Sequence, residues 1–110
     1  MEGEAVANRV TLIGRLHAAP RLRTSPAGIP IARFLLEHDS EQPEGPVTRR
    51  QRFRIGVRAV GEALCAELKQ LEPGRLMRVE GYLTRNKQGA EDYRLVVVAQ
   101  HLEALVETHE

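Results

Sequence analysis

A chain of 110 residues, 42% hydrophobic and 28% charged, has the composition of one folded domain around one modest core, not of a disordered protein. No apolar run approaches the roughly 20 residues that span a bilayer, and the opening MEGEAVANR lacks the apolar stretch of a secretory signal. A single cysteine, Cys65, excludes an internal disulfide framework and fits a reducing, cytoplasmic setting.

The formal net charge is only +1, but its distribution is uneven. Glu2 and Glu4 open the chain, and Glu103, Glu107 and Glu110 close it, leaving the middle basic. A neutral sum can hide a basic surface in this way.

RVTLIGRL (9–16) alternates, with Val10, Leu12, Gly14 and Leu16 on one side and Thr11, Ile13 and Arg15 on the other, which predicts a strand. HAAPRLRTSPAG (17–28) carries Pro20, Pro26 and Gly28 and reads as a loop. IPIARFLLEH (29–38) is extended again, and its run Phe34, Leu35 and Leu36 predicts a strand covered on both faces for part of its length.

DSEQPEGPVT (39–48) sets Pro43, Gly45 and Pro46 among acids, as an exposed, mobile loop would. The third predicted strand, about 49–59, is the arginine segment RRQRFRIGVR. VGEALCAELKQL (60–71) changes period: Val60, Ala63, Leu64, Leu68 and Leu71 recur at helical spacing, and Pro73-Gly74 ends the helix. RLMRVEGYLTR (75–85) is a fourth strand, NKQGAED (86–92) a polar hairpin loop, and YRLVVVAQHLEAL (93–105) a fifth strand rich in valine. Both acidic termini should fray.

Strand, strand, strand, helix, strand, strand in one short domain predicts an all-β fold: a small Greek-key barrel of the OB type. One short helix separates its third and fourth strands, and the core spans about 8–105. OB barrels bind oligonucleotides on the face of strands 2 and 3 and on the neighbouring loops.

No catalytic constellation emerges, so the reading is not an enzyme. His17, His38, His101 and His109 are dispersed and no cysteine pair completes a zinc tetrad, so neither metal nor cofactor is expected. No phosphate loop or nucleophile elbow is present. Cys65 falls inside the amphipathic helix, where it reads as a small buried hydrophobe. Glu37 and Asp39 read as solvated surface acids.

The arginines are the informative feature. On a strand, Arg50, Arg52, Arg54 and Arg58 share one face, while Phe53, Ile55 and Val57 point to the core. Alternate residues rise by about 6.6–6.8 Å, close to the phosphate spacing of an extended nucleic-acid strand. Arginine forks onto phosphate oxygens and stacks on bases better than lysine does. A charged strand can also simply prevent edge-to-edge aggregation, but here no acid interrupts the segment.

Further basic residues lie in predicted loops: Arg21 and Arg23 in the first, Arg85, Lys87 and Arg94 around the last hairpin. Only Phe34, Phe53, Tyr82 and Tyr93 could stack on bases. Binding should therefore lean on charge, with little sequence preference and a steep salt dependence. Two other readings stay open: an adaptor whose basic face meets an acidic protein, and an RNA-binding OB module.

NRVTLIGRL, then SPAGIPIARFLLEHDS, then VEGYLTR and a basic hairpin resemble the bacterial single-stranded DNA-binding proteins. They resemble still more the short primosomal replication protein N (PriB) group of that family, over about residues 8–105. The resemblance implies a homodimer binding single-stranded DNA without sequence specificity, and a role in replication restart with a restart helicase and helicase-loading primosome proteins.

Carried onto this chain, the group's DNA contacts match Arg23, Arg49, Lys87 and Arg94. Arg52 stands where the group can have a tryptophan, and Val47 replaces an aromatic before that strand. A hairpin lysine is lost near Gln88, and Glu91 and Asp92 enter the same loop. Here, arginine takes over from stacking.

Overall fold

The computed structural model describes residues 6–86 and 94–107. Six strands and one helix follow in the order β1 (Val10–Leu16), β2 (Arg21–Thr24), β3 (Pro30–Glu44), β4 (Val47–Val60), α1 (Glu62–Lys69), β5 (Leu76–Arg85) and β6 (Leu95–Ala104). They form one sheet in the order β1-β5-β6-β4-β3-β2. A second pairing, Arg15 opposite Glu37 and Leu16 opposite Leu36, joins β1 to β3 and closes five of the strands into the expected OB barrel. All neighbouring pairs are antiparallel except β4 with β6.

The barrel is filled from alternate positions. Leu16, Ala32, Phe34, Leu36, Val57, Ala59, Met77, Val79 and Val97 are buried together, and α1 adds Cys65 and Leu68. Cys65 is the buried small residue its sequence position predicts; its thiol points at the carbonyl of Ala59, 3.8 Å away. The helix is shorter than expected. Val60 completes β4, Gly61 turns the chain with φ 111°, and Ala63 faces solvent.

Two glycines let the sheet close. A Cβ on Gly14 would stand 2.3 Å from the Glu37 carbonyl oxygen, where β1 meets β3. A Cβ on Gly81 would stand 1.9 Å from the Val98 carbonyl oxygen, beside the bulge that shifts β5 against β6.

Three expectations need correction. Arg21 and Arg23 lie on a short strand, β2, hydrogen-bonded to β3, and not in a loop. Residues 39–48 are no loop either: β3 and β4 run on as one antiparallel hairpin whose turn is only Gly45-Pro46. Gly45 has φ 61°, and glycine followed by proline, with its fixed negative φ, suits the tight two-residue hairpin turn. Pro43, opposite Thr48, costs little because β3 has no second neighbour there. Finally, among the described residues β3 is buried on one face only: Phe34 and Leu36 are in the core, and Leu35 between them is 42% exposed.

Beyond the barrel, residues 38–53 pair only with one another. The β3–β4 hairpin therefore projects as a two-stranded arm, and the molecule measures 49 Å along its longest axis.

Candidate nucleic-acid interface

The two-residue turn fixes the register, and the register decides what faces the arginines. Arg54 stands opposite Glu37, Arg52 opposite Asp39 and Arg50 opposite Glu41, all on the outer face of the arm. An uninterrupted basic row in the sequence thus becomes a ladder of opposite charges in the fold.

Arg50 donates to Asp39 through Nε at 3.0 Å and through the terminal nitrogen at 2.7 Å. Arg52 lies 3.9 Å from the same carboxylate. Arg54 Nε donates to Glu37 at 3.0 Å, and His17 approaches Glu37 at 3.3 Å. Arg49 sits on the other face and meets Glu44 at 3.4 Å.

These contacts hold both acids in their charged form. Glu37 titrates below the usual carboxylate range, first because of the Arg54 hydrogen bond and then because of His17. Asp39 is lowered mainly by the hydrogen bond from Arg50, whose own pKa is raised in turn. Exposed pairs of this kind add little stability; they hold arginines extended on a strand, ready to exchange a carboxylate for another anion.

On the arm's other face, Phe53 was expected in the core. It is 42% exposed and packs against the ring of His38, with centroids 4.9 Å apart. The reason is position: at Phe53 the hairpin has already left the barrel. His38 donates its Nδ1 proton to the Ile13 carbonyl at 2.7 Å and accepts the Ser40 hydroxyl at Nε2, also at 2.7 Å, tying the arm's base to β1. Replacing Phe53 by Ala should therefore cost no more than about 1 kcal/mol, against the 3–5 of a core phenylalanine. A chemical-denaturation midpoint shift of core size would place Phe53 inside the fold after all.

A second basic group lies on the barrel itself. Arg21 on β2 stands directly opposite Arg33 on β3, and Arg33 directly opposite Arg58 on β4. The same row continues through Val98 on β6 to Tyr82 on β5, which is 36% exposed. Arg21, Arg23, Arg33 and Arg58 make no ion pair among the described residues.

Arg33 was not singled out in the sequence; its apolar neighbours Ala32, Phe34 and Leu35 masked it. The signal was its parity with Arg21 and Arg58 once the strands are paired. Arg85 ends β5 and Arg94 precedes β6, both exposed, and the Arg94 carbonyl accepts the Asn86 amide at 2.8 Å. Lys87 lies outside the described residues.

A closed barrel with a basic outer face can be compared with known proteins. The model of a family described as "another single-strand binding protein family" matches residues 8–101. The replication restart protein PriB of Actinobacillus succinogenes is 34% identical over 91% of this chain and 92% of its own. The chain belongs to this single-strand binding family, among its PriB members.

The solved PriB structure from Ralstonia solanacearum is 27% identical, with a TM-score of 0.79 over 90% of this chain and 98% of that one. The single-stranded DNA binding protein from Thermus aquaticus is 28% identical, with a TM-score of 0.75 over 91% of this chain and 50% of that one. PriB relatives therefore match this domain end to end, whereas the Thermus protein is about twice as long. In this chain the arm arginines pair with Glu37 and Asp39, whereas Arg21, Arg33 and Arg58 have no ion pair among the described residues.

Proposed function

We propose that this PriB-family protein is a binding protein, not an enzyme, that holds single-stranded DNA during replication restart, with no sequence preference. The observation that carries the reading is the outer face of the β2–β3–β4 sheet. There, arginines from three adjacent strands point the same way on an OB barrel. Arg23, Arg49, Arg50, Arg52, Arg54, Arg58, Arg85, Lys87 and Arg94 are the proposed phosphate contacts.

With Phe53 and Tyr82 the exposed rings among the described residues, charge carries most of the affinity and stacking little. The protein acts as a cytoplasmic homodimer that meets a restart helicase and helicase-loading proteins at the fork; membership of the PriB group supports this assembly.

The test is a fluorescence-anisotropy titration of labelled oligo(dT) at several salt concentrations. Tight binding near 50 mM salt that weakens steeply with salt is expected, with a log–log slope near −0.7 per phosphate contact. Absence of binding at low salt would refute it. A second reading has its own support, because an arm of alternating arginines and acids is also a surface on which a mixed-charge protein partner can dock. A protein inert toward every oligonucleotide, yet retained by the restart helicase, would favour that adaptor.

A further inference from the structure

We infer that the free edge of β2 takes up an extended acidic segment of a partner protein as one more strand of the sheet. This goes beyond the single-stranded DNA reading, because it gives a polypeptide ligand a site of its own. β2 is the last strand of the sheet and pairs only with β3.

The backbone groups at that edge follow from the ladder. The Pro30 carbonyl accepts the Gly61 N–H at 2.9 Å, so Pro30 turns its backbone toward β4. Thr24, opposite Pro30, therefore turns its own N–H and carbonyl away from β3. Ser25, one residue on, donates its N–H to the Ile29 carbonyl at 2.8 Å and points inward. Direction alternates along a strand, so Leu22 points outward with Thr24. Each of the two offers one donor and one acceptor to a further strand.

This edge is held in place before anything binds. The Ser25 hydroxyl accepts the Ile29 N–H at 3.1 Å, and the Ser25 carbonyl accepts the Gly28 N–H at 2.8 Å, which closes the turn between β2 and β3. An added strand thus orders only itself, and pre-organisation of this kind favours binding.

The side chains choose the occupant. Arg21 and Arg23 share the outer face and make no ion pair among the described residues. A second β2 laid on the edge would set arginine against arginine, which opposes pairing. Acids at alternate positions would meet both arginines. Between them Leu22 is 47% exposed, although it continues the row of Ala32 and Ala59, both fully buried. An apolar residue opposite Leu22 would extend that core row outward. The pattern required is acid, apolar, acid. A phosphate chain has no N–H for the Leu22 and Thr24 carbonyls, whereas a peptide backbone brings donors and acceptors at the right spacing.

The experiment is a fluorescence-anisotropy titration of the full chain with a short labelled peptide of alternating glutamate and valine. In the proposed register the valines lie opposite Leu22 and Thr24 and exchange the hydrogen bonds. Methylating the valine amides should therefore abolish binding, whereas methylating the glutamate amides should leave it nearly unchanged. A lysine–valine analogue should not bind. Leu22→Pro and Thr24→Pro each remove an outward N–H and keep the bonds to β3. Each variant, shown to be folded by circular dichroism, should weaken the glutamate peptide about tenfold, the worth of one to two hydrogen bonds. Leu22→Pro should leave oligo(dT) affinity unchanged.

Equal binding of the valine-methylated peptide would overturn the proposal, since charge alone would then hold the ligand. So would undiminished peptide binding by both folded proline variants. A protein that binds oligo(dT) but not the glutamate peptide would overturn this proposal alone and leave the DNA reading intact. A dimer lost in Leu22→Pro by sedimentation would give the edge to a second copy and overturn the acidic partner.

Discussion

Neutralising the two acids of the arm, Glu37→Gln with Asp39→Asn, should tighten binding of oligo(dT) by about tenfold at low salt, with a smaller effect as salt rises. Each acid now occupies an arginine that a phosphate would need: Asp39 holds Arg50 and lies near Arg52, and Glu37 holds Arg54. DNA must displace these carboxylates and then lie beside them. An exposed ion pair changes an equilibrium constant by up to about fivefold, so two such exchanges avoided, and two repulsions removed, amount to roughly an order of magnitude.

The pH dependence follows with a definite sign. Both acids titrate below the ordinary carboxylate range because their arginines are bound to them. A phosphate that takes those arginines returns the acids toward ordinary values. Binding therefore takes up protons in acid solution, and affinity should rise as pH falls into the carboxylate range. The double variant should lose that rise. Weaker binding by the double variant, or a pH profile it shares with the unaltered protein, would show that the acids order the arginines for DNA instead of competing with it.

The same acids contribute to folding in the opposite sense. A group whose pKa is lowered in the fold adds stability above its unfolded pKa and loses it as pH falls through the folded value. The arm should thus loosen in acid at the same pH at which its arginines become available, although exposed pairs make the effect on folding small.

How much of this could be read from the sequence depends on where hydrophobic alternation exists. The strands that wall the barrel were legible because one face of each is buried: Leu12, Gly14 and Leu16 on β1, Met77 and Val79 on β5, Val97 and Ala99 on β6. The arm was not, because it is exposed on both faces and carries no such signal. Its prolines and glycine carry the composition of a loop, although Gly45-Pro46 is itself a hairpin turn.

The turn decides most of the site. A two-residue turn pairs residues equidistant from it, which puts Glu37 against Arg54, Asp39 against Arg52, and Arg33 against Arg58. The acids opposite the basic row, and Arg33 beside Arg58, both follow from the position of that single turn. β2 is different in kind: RLRT is four residues long and wholly exposed, so only its pairing with β3 makes it a strand.

Gly81→Ala should be the most damaging alanine substitution among the described glycines. Its Cβ would stand 1.9 Å from the Val98 carbonyl oxygen and 2.8 Å from the carbonyl carbon, both backbone atoms that no rotamer change can move away. Overpacking a fitted interior costs about 1–3 kcal/mol and more where the backbone must shift, so a loss of about 3 kcal/mol is expected. At about 4 °C per kcal/mol for a domain of this size, the melting temperature should fall by about 12 °C.

Gly28→Ala is the control. Its φ of 86° also disfavours a side chain, but nothing lies within 4 Å of the added methyl, so its cost should be only about 1 kcal/mol. A Gly81→Ala protein melting within 2–3 °C of the unaltered one would mean that β5 and β6 can separate there at little cost. The consequence would reach the arginine row. The bulge between Glu80 and Gly81 sets the register that places Tyr82 beside Val98, and Val98 beside Arg58. A folded Gly81→Ala protein should therefore also bind oligo(dT) less tightly, although the glycine faces no DNA.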